Sequence, residues 1–224
     1  VPNPLLGHSC VVVRDNATYD ESVTVQNFVT NGSSLTIMLD PALSLRPTLS
    51  PSGGTPNAVF LIKNASVNIA NIDISPNIGV AYGVRSSSSN VSISSVNVTS
   101  DPSNLITVAG VSITSWTTIS HSSIVVRNAT GLSVYGTNAS VLFSTAVNFD
   151  FSDYALDVVS ASSATILRAY VKNNDGTGPG AAIRGSSYTL ISLSTITVVG
   201  SDDSLTLSLG AYSNTVSASY IRSG

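Results

Sequence analysis

From about residue 58 onward the chain is built from short runs in which apolar and polar residues alternate, such as Val67-Asn-Ile69, Ile72-Asp-Ile74, Val91-Ser-Ile93 and Val96-Asn-Val98. Period-two alternation of this length predicts half-buried strands rather than helices, and the Ser, Asn and Gly between the runs supply turns. The strands also repeat as groups. Aligned on the last apolar residue of each group, seven segments end at Ile74, Val98, Val126, Phe149, Val171, Val198 and Ile221, in steps of 24, 28, 23, 22, 27 and 23 residues. A period near 24 residues marks a repeat architecture, whose units bury their apolar faces only by stacking.

Each segment has internal structure. Seven residues before the anchor lie Val67, Val91, Ile119, Leu142 and Ile191, and in the two remaining segments Ile166 and Val216 lie five before it. Further upstream come Leu61, Val84, Val111, Leu132, Leu156, Ile183 and Leu207, five of them directly after a Gly or Ala, as in Gly83-Val84 and Gly131-Leu132. A small residue there predicts a tight corner leading into a strand. Each repeat therefore reads as three short strands with corners between them.

On these grounds the segment from 58 to 221 resembles the right-handed parallel β-helix, the pectin-lyase-like solenoid, and no specific family within it. The resemblance implies an all-β fold with coils of about 22–28 residues, an inward row of Val, Ile, Leu and Ala, and an outward row free to be polar. Residues 58–224 are read as the coils. Residues 1–57 are read as an N-terminal cap or stacking region, with strands at Ser9–Val13, Val23–Val29 and Leu35–Leu39 followed by a loop or arm over Pro41–Pro56, which holds four Pro and two Gly.

Composition then says what the outward row is made of. The 224 residues include 41 Ser, 21 Thr and 18 Asn, while charged residues are only 9%. The net charge of −3 and the scattered Arg leave no basic footprint, so nucleic acid is not an expected partner. No apolar run approaches the roughly 20 residues of a membrane helix. Cys10, beside Val11, Val12 and Val13, reads as a small buried hydrophobe.

Candidate chemistry is sparse. Polygalacturonase-like members of this architecture carry Asn-Thr-Asp, Asp-Asp, Gly-His-Gly and Arg-Ile-Lys in chain order, for paired-carboxylate hydrolysis. Here Asp202-Asp203 and Gly7-His8-Ser9 lie in the wrong order at opposite ends, and the other two motifs are missing. Lyase-like members gather Asp ligands around Ca²⁺, and the weak candidates for that role are Asp150, Asp153 and Asp175 at successive corners, with Arg168 and Arg184 within a coil; Asp157 reads as outward on the next strand. His121 reads as an outward strand residue. No catalytic residue, metal or cofactor is assigned, and the balance favours a non-enzymatic role. Seven Asn-X-Ser/Thr acceptor sites, at Asn16, Asn31, Asn64, Asn90, Asn97, Asn128 and Asn138, are about what chance gives and make glycosylation possible.

Residues 205–221 keep the coil pattern, with Leu205, Leu207, Leu209, Val216 and Ile221 and no helix or charged plug after them. The expectation is either a solenoid continued in a longer protein or an end that stacks on another copy, since head-to-tail contacts that do not close build filaments. The leading functional expectation is a secreted or surface-exposed structural subunit whose partners are copies of itself. The alternative is a β-helix that binds or cuts polysaccharide, with Tyr82, Trp116, Tyr135, Tyr154 and Tyr188 available to stack on sugar rings.

Overall fold

The computed structural model describes residues 5–28, 32–87, 90–100, 105–149, 153–175 and 178–224. Among them there is no helix. The strands form three parallel sheets, here A, B and C, of nine, nine and eight strands. The chain visits them in strict rotation: β1 (Ser9–Val13) in A, β2 (Thr18–Tyr19) in B, β3 (Val23–Gln26) in C, then β4 (Leu35–Leu39), β5 (Thr48–Leu49) and β6 (Ala58–Lys63) in the same order. Every pairing is between one coil and the next, and every one is parallel. The protein is thus a parallel β-solenoid of about eight turns, as the alternation and the repeat predict.

The core is a set of columns, one residue per coil. In sheet A the register carries one column through Val11, Ile37, Ile69, Ile93, Ile119, Val141, Ile166, Ile191 and Val216. In sheet B the corresponding column is Tyr19, Leu49, Ile74, Val98, Ile124, Ala146, Val171, Ile196 and Ile221. The true anchors are therefore Ile124, Ala146 and Ile196 rather than Val126, Phe149 and Val198. The B strand offers two inward positions, two residues apart; Val126 and Val198 are the second of them, whereas in the coil of Ala146 that place is taken by Asn148 and Phe149 lies one residue beyond it.

Leu142 and Leu61 are half-buried outward neighbours of the inward residues Val141 and Phe60. A one-residue slip turns a strand residue to the other face, and adjacent apolar residues hide such a slip from sequence.

The small residues before the C strands act by close approach rather than by turning. Gly83, Gly110, Gly131, Ala155 and Gly180 stack in register, one per coil. A Cβ on Gly131 would lie 2.5 Å from the Ala155 carbonyl oxygen, and one on Gly110 would lie 2.4 Å from Ile124 Cγ2. The turning is done elsewhere. Between sheets A and B a single left-handed residue makes the corner in seven successive coils: Asn71, Ser95, His121, Phe143, Arg168, Leu193 and Ala218, with φ between 45° and 57°. His121 is thus an exposed corner residue, stacked on Phe143, and not a strand residue.

The residue after this corner points inward and is often serine. Ser122, Ser144 and Ser194 are almost fully buried. Each hydroxyl donates to the carbonyl two residues before it, and accepts an N–H from the preceding coil, as in Ala169 N–H to Ser194 Oγ at 3.1 Å. Hydroxyls assigned to the outward row are therefore also core components, satisfying backbone groups where the chain bends away from its ladder. Cys10 shows the reverse. It occupies an outward position of β1 and is exposed, because alternation gives the inward place to Val11.

Within the Pro-rich stretch, β5 forms a rung of sheet B, where Leu49 is buried and Arg46 pairs with Asp73 at 3.4 Å. The residues on either side of β5 form loops, with Leu43 and Leu45 exposed.

Candidate functional site

The acidic residues singled out from sequence gather on the B-to-C corners, which are the long, irregular ones. Asp150 and the acceptor Asn31 lie outside the described residues. Asp153 is half-buried and Asp175 exposed, and what organises their corners is a pair of buried asparagines. Asn148 and Asn173 are in register and fully buried. Both donate Nδ2 to the Asp153 carbonyl oxygen, Asn173 also reaches the Pro179 carbonyl, and the Asp175 N–H donates to Asn173 Oδ1. These contacts use the backbones of the aspartates and tie successive loops to the core. Among the described residues no three His, Cys, Asp or Glu side chains converge as metal ligands.

The two arginines expected near Asp175 are engaged elsewhere. Arg168 lies over the Phe143 ring at 5.3 Å on the A-to-B corner. Arg184 forms a two-pronged pair with Asp157, Nε to Oδ1 at 3.0 Å and Nη2 to Oδ2, and lies over Tyr154 at 5.0 Å. Asp157 stands on the outward face of sheet C yet is nearly buried. Burial pushes its carboxyl above the ordinary value, against the pull of Arg184, while Asp157 raises Arg184 further. The pair was legible in principle: 27 residues is one 25-residue coil plus two, which puts both side chains on the same face of adjacent rungs. Tyr82, likewise beside sheet C, has Arg85 over its ring at 4.7 Å. On this face, then, two aromatic rings and the buried carboxylate of Asp157 are already matched to arginines within the chain.

Five of the six described acceptor asparagines are exposed, Asn64, Asn128 and Asn138 at left-handed positions. Asn97 is half-buried in sheet B and donates Nδ2 to Asp73 at 2.8 Å.

The strongest concentration of unmatched surface is at the two end rungs. The sheet A column is 0–2% exposed from Ile69 to Ile191, but Val11 and Val216 at its ends are 41% and 38% exposed. Ile221 and Leu207, ends of columns in sheets B and C, are 42% and 52% exposed. At the first rung the core opens into a cavity of about 460 Å³ lined by Val11, Val13, Tyr19, Val23, Ile37 and Phe60 among others. Arg14 and Glu21 are among its lining, and two carboxylates next to these residues in the sequence are held in place. Asp15 accepts from the Tyr19 hydroxyl and the Ala17 N–H, and Asp20 accepts from the Ser52 hydroxyl and N–H, which holds both carboxyls below the ordinary carboxylate value.

Fold and surface together define a parallel β-solenoid whose wall pairs Asp73 with Arg46 and Asp157 with Arg184. No family model and no curated protein matches the chain. Among solved structures it is similar to tailspike protein 3 of bacteriophage CBA120, at 11% identity with a TM-score of 0.33. The match covers 93% of this chain and 46% of that one, so the chain spans less than half the length of that protein.

Proposed function

We propose that the protein is a non-enzymatic structural rod of an extracellular or surface assembly, in which copies stack end to end through their first and last rungs. The observation that supports this reading is the single parallel register that runs through sheets A and B, with Val11 and Tyr19 at one end of it and Val216 and Ile221 at the other. A copy translated along the axis sets its Val11 on Val216 and its Tyr19 on Ile221, continuing the parallel register of sheets A and B. Sheet C ends one strand earlier, at Leu205–Ser208, so the pairing is carried by A and B. Charge agrees with the same register. Asp20 follows Tyr19 as Arg222 follows Ile221, so the copy's Asp20 falls beside Arg222, and both are exposed.

Light scattering and negative-stain microscopy of the purified chain test the reading. The expected result is concentration-dependent rods, broken up by Arg222→Glu and restored when Arg222→Glu is mixed with, or combined with, Asp20→Arg. Because the Asp20 carboxyl is held below its ordinary value, its charge and the contact persist at mildly acidic pH and are lost as pH falls through that lowered value. A monomer at every concentration and pH sinks the reading.

A further inference from the structure

One cleft of the outer wall is lined mainly by Ser, Asn and Gly, with Val91 and Trp116 as its apolar residues, and has no carboxylate, Lys or Arg in its lining. It runs along the edge of sheet A, holds about 380 Å³, and is lined by Ser34, Ser66, Asn68, Asn90 and Ser92, with His8 at one side and Trp116 at the other. That volume lies in the range of small-ligand clefts.

Trp116 occupies a left-handed corner position at φ 61°, in register with Asn138, Ser163, Tyr188 and Ser213, all with φ of 52–57°. The corner accounts for the φ. It does not account for an indole, which is 61% exposed and has no aromatic or cationic partner among the described residues.

The polar wall is held in place by contacts within it. Asn68 donates Nδ2 to Thr36 Oγ1 at 3.2 Å and to Ser34 Oγ at 3.4 Å, which orients its amide. His8 Nδ1 accepts the Ser34 N–H at 3.2 Å, which places the proton of the neutral ring on Nε2 as a further donor. The cleft thus sets a flat apolar ring beside amides, hydroxyls and an imidazole, with no carboxylate, Lys or Arg in its lining. A pyranose ring has the matching chemistry, an apolar C–H face and a rim of hydroxyls that donate and accept.

We infer that this cleft binds a neutral oligosaccharide, with one sugar ring on Trp116 and its hydroxyls on Asn68, Asn90 and the serines. The absence of a cation in the lining selects against uronic acids. The inference stands apart from end-to-end stacking, since Trp116, Asn68, Asn90 and Ser92 belong to interior coils and only the His8 side of the cleft adjoins the first rung.

Trp116 is the single tryptophan of the chain, so its fluorescence reports this cleft alone. The test titrates the full, unglycosylated chain with cellohexaose, mannohexaose, maltohexaose and hexagalacturonate, since a glycan on Asn90 would fill the cleft. A saturable change with at least one neutral hexasaccharide and none with hexagalacturonate is expected. Calorimetry then reads the variants: Trp116→Ala weakens that binding about tenfold, Trp116→Phe recovers part of it, and Asn68→Ala weakens it with the indole intact. Circular dichroism confirms that the variants keep the fold. No saturable change with any neutral sugar, binding unchanged in Trp116→Ala, or equal binding of hexagalacturonate overturns the inference.

Discussion

The interior rungs and the end rungs are made of the same residues in the same register, and they differ in what lies above and below. Ile119 and Val216 belong to one sheet A column, yet Ile119 is fully buried and Val216 is 38% exposed. In a solenoid a coil contacts only its neighbours, so an interior side chain is covered twice and an end side chain once. Position in the stack, rather than residue type, therefore decides how far a column member is covered within one copy.

The largest expected effect is at an interior rung. Ile119→Ala removes a buried side chain whose neighbours Ile93 and Val141 are held by their own rungs and cannot collapse into the space. A loss of about 2–5 kcal/mol is expected, read by urea unfolding. If Ile119→Ala is as mild as the same change at position 216, coverage does not set the energetics and the comparison between rungs fails.

A smaller effect is expected at the serine corner. Ser194→Ala leaves the Ala169 N–H without its acceptor, in a buried place that water does not reach. The expected cost is about 1–3 kcal/mol. Ser219 occupies the equivalent corner one coil further on, is half-buried, donates to the Ser217 carbonyl and accepts the Ser194 N–H at 3.1 Å. Ser219→Ala, at a corner that water reaches from one side, is expected to cost less than Ser194→Ala, about 0.5–1 kcal/mol.

The period and the strand type were legible because alternation and spacing survive in the residues themselves. Two things were not. The first was phase: Ile124 and Val126 sit on one strand and both face inward, so apolar character alone does not say which is the anchor. The second was the inward use of polar residues. Asn148, Asn173, Ser144 and Ser194 look like surface composition, and only the corner geometry shows that each answers a buried backbone group. For the same reason the sequence does not show that Asn148 and Asn173 hold the corners through the Asp153 carbonyl and the Asp175 N–H. Trp116 was visible as an exposed aromatic, but the polar wall facing it is drawn from residues 8 to 92 and comes together only when the coils stack.

A small effect on stability is also expected at the last rung, and it is the most informative. Val216→Ala removes a side chain that is already partly in water and is covered only by Ile191 below it. In the isolated copy the change is expected to cost less than about 1 kcal/mol, because little apolar area returns to solvent. In the proposed rod the same methyl groups would lie against Val11 of the next copy and be covered twice, so association is expected to weaken although folding does not. Measuring urea unfolding of the dilute chain and light scattering of the concentrated chain on one preparation separates the two. Unchanged unfolding with weakened association places Val216 in a contact between copies. Equal losses in both would mean that the last rung behaves as interior core, and unchanged association would remove Val216 from the interface altogether.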